Sequence, residues 1–322
     1  MTIIIVDIWL IVNQLTYQID TAGFNQGVDY DMLSYIMSNS TQHMNGVTII
    51  DGRKAREVRL PKLIARVQKL SFRSHLAIIQ VGNRPDSTSY IRAKKLFAAK
   101  IGVGIVHKQF DETISQAELL KEIAEMNQSN EVQGIIVQLP LPVQIDKKAI
   151  IDAIIPSKDV DALTSTSVAN WSQGKGIMPA TARGVRELLN FYDIKLNGKK
   201  VTVVGRSDLV GKPIAVMCEN AGAQVTVCHS KTVDLVAGTK DADVLIVAVG
   251  KPGLITEKHV NMGQVVIDVG ISRLGEEQLA GDVDFANVSK VVRAISPVPG
   301  GVGAMTVLAL FENLIDLCEG KM

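Results

Sequence analysis

The 322-residue chain has three cysteines, Cys218, Cys228 and Cys318, and no pair of them has Cys-x-x-Cys spacing. That excludes a disulfide framework, a zinc ribbon and a thioredoxin-like redox pair. The three read as buried free thiols of a reducing compartment, which implies a cytoplasmic protein. Five histidines occur without metal-ligand spacing, so no metal is expected; His107 and His229 fall in strand-like runs, where a hydrogen-bonded structural role is the default. Charge of one sign is also lacking: the formal net charge is +1 and no basic run forms a patch, which excludes nucleic acid as an expected partner. Residues 3–12 are apolar but interrupted by Asp7 and too short to span a bilayer, so no membrane partner is expected. No Lys or Arg precedes Arg53, and neither a secretory n-region nor an Arg-rich transit peptide is expected. Residues 1–45 read as an irregular appendage, with Met44 as the expected start of the protein proper.

Two absences are more informative still. Residues 199–213, KKVTVVGRSDLVGKP, lack the G-x-G-x-x-G spacing, yet they run from a β-branched strand through Gly205 into Gly211, Pro213 and an apolar helical pattern. A strand, a glycine-bearing turn and a helix N-terminus form the usual seat of a pyrophosphate, held by backbone N–H groups and the helix dipole. Three more apolar runs follow at βαβ spacing: 224–230, 243–250 and 264–270. Each is nearly all apolar, as expected for strands buried on both faces of a parallel sheet. The second run ends Cys228-His229-Ser230-Lys231-Thr232 and carries no acid. A carboxylate there would bind ribose hydroxyls, as for NAD. Its absence, with Ser230, Lys231 and Arg206 nearby, suits a 2′-phosphate and points to NADP.

The composition, 47% hydrophobic and 21% charged, allows two domains with ample cores. Upstream of the nucleotide segment a second alternating pattern appears: a helix over 53–70, a strand over 75–82, a helix opened by the turn 83–87, a strand over 102–110, a helix through Met126, then EVQGIIVQLPLP. The predicted fold class is therefore α/β. It has two α/β domains, the second a Rossmann-like doubly wound parallel sheet, with a cleft between them.

Within the first pattern, Tyr90 and Lys94 stand at i and i+4, one helical turn apart on one face. A lysine beside a phenol in a desolvated cleft can work as acid or base, although an exposed helix surface carries the same spacing. Short-chain dehydrogenases also have Tyr-x-x-x-Lys, but after the nucleotide fingerprint, whereas here it precedes it. Gln138 closes a strand before Leu139-Pro140-Leu141-Pro142, and the carboxyl ends of strands are where open α/β sheets hold ligands. The loop Pro156-Ser157-Lys158-Asp159-Val160-Asp161 offers two acids, suited either to solvation or to a ring bearing N–H donors.

Taken in order, VGNRPDSTSYIRAK, GIIVQLPLP, PSKDVDAL, GRSDLVGKP, CHSKT and SPVPGGVGAMT (296–306) resemble the bifunctional methylenetetrahydrofolate dehydrogenase/methenyltetrahydrofolate cyclohydrolase family over residues 47–317. The resemblance implies NADP-dependent oxidation of 5,10-methylenetetrahydrofolate and hydrolysis of the methenyl product to 10-formyltetrahydrofolate. It implies Lys94 as the key cyclohydrolase residue, Gln138 as its hydrogen-bond partner, Tyr90 stacked on the folate ring system and Asp161 accepting from the pterin-like ring. Leu139, Pro140, Pro299, Gly300 and Gly301 would complete the substrate site. Gly205, Arg206, Ser207, Gly211, Ser230, Thr181 and Ile271 would hold NADP. The implied division is 46–164 plus 299–322 as the catalytic domain and 165–298 as the NADP domain, with a homodimer joined through the latter. A monofunctional dehydrogenase and a non-catalytic NADP-binding regulator are the rival readings, and the retained Lys94, Gln138, Tyr90 and Asp161 argue against both.

The chain departs from the family pattern at Ala180 and Ala182, where cysteine and proline are usual, at Ala304 in place of proline, and at Ala162 in place of glycine. The last implies a β-carbon in a loop that wants a positive φ beside Asp161.

Overall fold

The computed structural model describes residues 43–44, 46–275 and 278–321. The expectation of an irregular appendage over 1–45 lies outside these residues, apart from His43–Met44. The strands are β1 (His43–Met44), β2 (Val47–Ile49), β3 (His75–Val81), β4 (Gly104–Phe110), β5 (Gly134–Val137), β6 (Lys200–Val204), β7 (Gln224–Cys228), β8 (Val244–Val247), β9 (Val265–Asp268), β10 (Ser272–Leu274), β11 (Gln278–Ala280) and β12 (Ala294–Ile295). The helices are α1 (Gly52–Gln68), α2 (Pro85–Ile101), α3 (Gln116–Gln128), α4 (Lys147–Asp152), α5 (Ser165–Ser172), α6 (Ala180–Phe191), α7 (Gly211–Asn220), α8 (Leu235–Lys240), α9 (Phe285–Val288) and α10 (Val302–Cys318).

Two parallel sheets organise them. The smaller has the order β4-β3-β5, with Ile79 beside Val137 at the carboxyl end. The larger runs β1-β2-β12-β9-β8-β6-β7, parallel throughout except for the β1–β2 hairpin. Strand β2 therefore adds to the sheet of the second lobe, through parallel pairing with β12. The fold is the two-lobed α/β arrangement predicted, with a Rossmann-like second sheet. Strands β3, β6, β8 and β9 are buried on both faces, which is why they read as continuous apolar runs.

Helix ends follow local chemistry. Asp51 caps α1 by accepting from the N–H groups of Arg53 and Lys54. Pro85 occupies the first turn of α2, and Gly102 ends that helix at φ 83°. Ser115 and Glu118 form a reciprocal capping box on α3.

Two expectations need correcting. Strand β7 is not buried on both faces: Gln224, Thr226 and Val227 are exposed, Val227 at 40%, because β7 is the last strand of its sheet and only the six-residue α8 follows it. The resemblance implies a last helix over 307–318, packed back on the first domain; α10 instead begins at Val302, so Gly303 and Ala304 are helical. It packs on α1 and α6 and touches α2 through Phe311 against Phe97, ring centroids 5.3 Å apart. Partly buried ion pairs tie α1, α6 and α10 together: Arg59 meets Glu187 and Glu312 at 2.8 Å each, and Arg183 and Arg66 meet Asp316 at 2.5 and 2.6 Å. Each of these carboxylates is satisfied by a guanidinium, which is the condition for burying charge tolerably. Asn313 Nδ2 donates to the carbonyls of Val160 and Met178 at 2.8 and 2.9 Å, and so anchors the loop that carries Asp161 to the same helix.

Candidate active site

Lys94 leaves α2 toward the carboxyl end of β5, where the β3–β5 pairing stops and Gln138 N–H closes on the Ile79 carbonyl at 2.8 Å. The Lys94 ammonium donates to Gln138 Oε1 at 2.9 Å. The other end of that amide donates to the Leu139 carbonyl, also at 2.9 Å, which fixes its orientation so that oxygen faces the lysine. Together with Asp161, Lys94 and Gln138 line a cavity of about 150 Å³ whose walls include Ile135, Ile136, Ile154 and Leu163.

Those walls set the charges. Desolvation in the apolar cavity lowers the Lys94 pKa below its ordinary value, and the Asp161 carboxylate pulls against that shift. Desolvation pushes Asp161 up to about 6; Lys94 opposes this and neighbouring Asp159 adds to it. The two groups face one cavity with their charged forms disfavoured, so a proton there is easily moved. Asp159 is buried and its Oδ2 accepts from Thr164 N–H at 2.8 Å, a bond internal to the loop.

Ala162 takes φ 54° and is fully buried. The left-handed conformation costs an alanine about 1–2 kcal/mol. Glycine would relieve it but gives up a buried methyl worth about 0.8 kcal/mol and adds about 0.5–1 kcal/mol of unfolded-chain entropy. These nearly cancel. Ala162→Gly is expected to move stability by less than about 1 kcal/mol, whereas Ala162→Val, β-branched at positive φ, should cost several times that in a denaturant titration.

Lys94 also reaches a second, larger space, a cleft of about 630 Å³ between the lobes. It is lined by Tyr90, Lys94, Arg53 and Arg56, by Thr181, Ser207, Gly250 and Ile271, and by Pro299, Gly300 and Gly301. The volume is in the range of a small-molecule site. Tyr90 is 38% exposed, ring presented to the cleft, and partial burial raises its phenol pKa. Gly300 has φ 114°, and its carbonyl accepts from Gly52 and Arg53 N–H at 2.9 and 3.1 Å.

At the β6–α7 turn, Gly205 has φ 121° and a β-carbon there would lie 2.2 Å from the Ala248 carbonyl oxygen; one on Gly211 would lie 2.3 Å from the Gly205 oxygen. Both glycines are required by the turn's own packing. Arg206 and Ser230 each lie two residues beyond the paired Val204 and Cys228, on adjacent strand ends. Arg206, Ser230 and Lys231 are exposed, and their side chains bond to no other described residue. Cationic and hydroxyl donors with no carboxylate at the end of β7 fit a phosphate-bearing ribose.

The predicted residues thus fall into three groups. Lys94, Gln138, Leu139 and Asp161 share the small cavity. Tyr90, Lys94, Thr181, Ser207, Ile271, Pro299, Gly300 and Gly301 share the cleft. Gly205, Arg206, Gly211, Ser230 and the exposed Pro140 line neither. Sequence reasoning missed Arg53 and Arg56, whose i, i+3 spacing on α1 was the available signal, and Asp268 at the end of β9.

Comparison with known proteins agrees with this geometry. Residues 50–161 match the family model for the tetrahydrofolate dehydrogenase/cyclohydrolase catalytic domain, and residues 179–322 that for its NAD(P)-binding domain. A bifunctional protein FolD from Bacillus licheniformis is 44% identical over 272 residues, 83% of this chain and 96% of the relative. The bifunctional FolD methylenetetrahydrofolate dehydrogenase/cyclohydrolase of Campylobacter jejuni superposes with a TM-score of 0.83 at 41% identity, over 86% of this chain and 100% of that one. The Trypanosoma brucei enzyme, solved with NADP cofactor and an inhibitor, gives 0.82 at 33% identity over 86% and 99%. Both domain models are met in order and the relatives are covered almost end to end, so this chain belongs to the tetrahydrofolate dehydrogenase/cyclohydrolase family.

Proposed function

We infer that the protein oxidises 5,10-methylenetetrahydrofolate to the 5,10-methenyl cation with NADP and hydrolyses that cation to 10-formyltetrahydrofolate. The observation that carries this reading is that one amine, on Lys94, faces both the small cavity and the interlobe cleft. NADP, when bound, supplies the hydride acceptor. Arg206, Ser207 and Ser230 hold its phosphates, Gly205 and Gly211 shape the turn beneath them, and Thr181 and Ile271 border its nicotinamide end.

For the hydrolysis, Lys94 is the proton acceptor. Water adds to the methenyl carbon as one of its protons passes to the neutral amine. The carbon–N5 bond of the resulting carbinolamine then breaks as its hydroxyl proton passes to N5 and C=O forms, and the formyl group stays on N10. Gln138 Oε1, 2.9 Å from the ammonium, keeps the amine aimed. A lowered pKa serves this role twice, because it frees the lone pair and keeps a second positive charge away from the cation. Asp161 accepts from the amino and ring N–H groups of the pterin-like ring, Tyr90 stacks on it, and Leu139, Pro140, Pro299, Gly300 and Gly301 border it.

Residues 46–164 with 299–322 are proposed as the catalytic domain and 165–298 as the NADP domain, with β2 crossing to pair with β12 in the sheet of the latter, in the cytoplasm. The edge of β7 supports a homodimer: an open strand with Thr226 and Val227 exposed is a ready template for a second copy. Val227→Lys is expected to convert the protein from twice its 34.8 kDa mass to a monomer in light scattering, and a wild type that already runs as a monomer refutes the dimer.

The direct test of function supplies 5,10-methylenetetrahydrofolate and NADP and follows NADPH and methenyltetrahydrofolate separately. NADPH is expected with little methenyl build-up. No NADPH with either NADP or NAD refutes the dehydrogenase, and no consumption of added methenyltetrahydrofolate refutes the cyclohydrolase.

A further inference from the structure

Strands β8 and β9 are neighbours, with Val247 opposite Asp268, and their exit loops both border the interlobe cleft. Two carboxylates that take no part in the proposed chemistry lock these loops together. Asp282, fully buried, accepts from the backbone N–H groups of Val249, Gly250 and Lys251 at 2.6, 3.0 and 2.6 Å. Asp268, 3% exposed, accepts from Gly270 and Asp282 N–H through Oδ1 at 3.0 and 3.1 Å, and from Val283 N–H through Oδ2 at 2.9 Å. Each carboxylate also fills the space a β-carbon would take: one on Gly270 would lie 2.1 Å from Asp282 Cγ, and one on Gly281 would lie 2.0 Å from Asp268 Oδ2. The chain thus passes from the β9 exit through Asp268 to the 282–283 backbone, and through the Asp282 side chain to the β8 exit.

Six backbone donors on two buried acids form a costly arrangement for a loop. Burial pushes Asp268 up to about 7, against the pull of its N–H partners. Packing alone would be served as well by apolar side chains. What the pair secures by hydrogen bonding is the position of backbone segments 249–250 and 270–271, which face the cleft.

We propose that Asp268 and Asp282 are positioning residues that preset these two loops to receive the nicotinamide half of NADP, while leaving the phosphate end and the Lys94 cavity independent. This rests on the NADP reading of the cleft given above. An asparagine at either site keeps the shape but turns an amide NH₂ toward a backbone N–H, so the loop must shift by one hydrogen bond.

The test uses the full chain and calorimetric binding of NADP and of adenosine 2′,5′-bisphosphate, which lacks the nicotinamide, alongside hydrolysis of methenyltetrahydrofolate, which needs no cofactor. For Asp268→Asn the expectation is NADP binding weakened about tenfold, with the bisphosphate and the hydrolysis within twofold of wild type. Asp282→Asn is the second variant, with the same expectation, and carries the test if the first does not fold. NADP affinity unchanged in a folded variant overturns the proposal. So does a parallel fall in NADP, bisphosphate and hydrolysis, or failure of both variants to fold, since each would mean that the pair only holds the lobe together. A wild type that binds neither nucleotide removes the NADP reading itself and the proposal with it, a result visible before any variant is made.

Discussion

Replacing Lys94 with methionine is expected to reduce cyclohydrolase activity by about 10²–10⁴-fold, the usual worth of a positioned acid–base group. NADP-dependent oxidation should persist, so that methenyltetrahydrofolate accumulates and its absorbance rises in step with NADPH. The reasoning is spatial. Hydride transfer needs the two reactants aligned across the cleft, and Lys94 contributes only part of one wall there. Proton removal from water needs a basic lone pair, and among the groups of the small cavity only Lys94 has a lowered ammonium pKa with an oriented partner, Gln138 at 2.9 Å. Methionine fills the apolar tunnel without a lone pair of comparable basicity. Loss of both activities together would mean that the lysine serves to bind the substrate rather than to move a proton.

Asp161→Asn is expected to raise KM for the folate about 10–100-fold in both reactions, because hydrogen bonds to a charged acceptor are worth about 1.5–3 kcal/mol. The same substitution should stabilise the free protein at high pH. Asp161 is held at about 6 in the fold, against about 3.9 for an ordinary aspartate. A carboxyl whose folded pKa is raised contributes stability below the unfolded value and loses it as pH climbs through the folded one. Above pH 6 the native state therefore carries a strained charge, on the order of 3 kcal/mol from a shift of this size. Tm of the variant should exceed that of wild type at pH 8, and the difference should narrow as pH falls from 6 and vanish near pH 4. Activity runs the opposite way: kcat/KM of wild type is expected to fall as pH drops through about 6, where the free enzyme loses its anionic acceptor. A Tm difference independent of pH, or a flat acid limb, would show that Asp161 is ionised throughout.

Much of this arrangement was legible in the chain because burial on both faces leaves a periodic mark. Strands β3, β6, β8 and β9 read as apolar runs for that reason. Lys94 and Gln138 were legible as a pair through the resemblance, and the structure brings them to one cavity from residues 44 apart. Strand β7 misled, because its β-branched run looks the same whether a neighbour covers it or, as here, the sheet ends. The early start of α10 was hidden by Pro297, Pro299, Gly300, Gly301 and Gly303, which read as loop until Val307. The Asp268–Asp282 pair was invisible for a different reason: its position depends on contacts between segments far apart in sequence, and no local pattern reports the crossing of β8, β9 and the 281–283 backbone. The positive φ of Ala162 is the case where resemblance to glycine-bearing relatives anticipated a backbone angle that composition could not.

The protonation state of Lys94 bears most directly on how one cleft runs two reactions. With ¹³C-labelled lysine, the Lys94 side-chain resonance, assigned by its disappearance in Lys94→Met, can be followed against pH. Desolvation in the cavity predicts a midpoint clearly below the ordinary lysine value of about 10.4, shifting upward when Gln138 is kept and the cavity is opened by Ile136→Ala. A midpoint at or above the ordinary value would leave the amine charged in the working range and contradict its role as the proton acceptor.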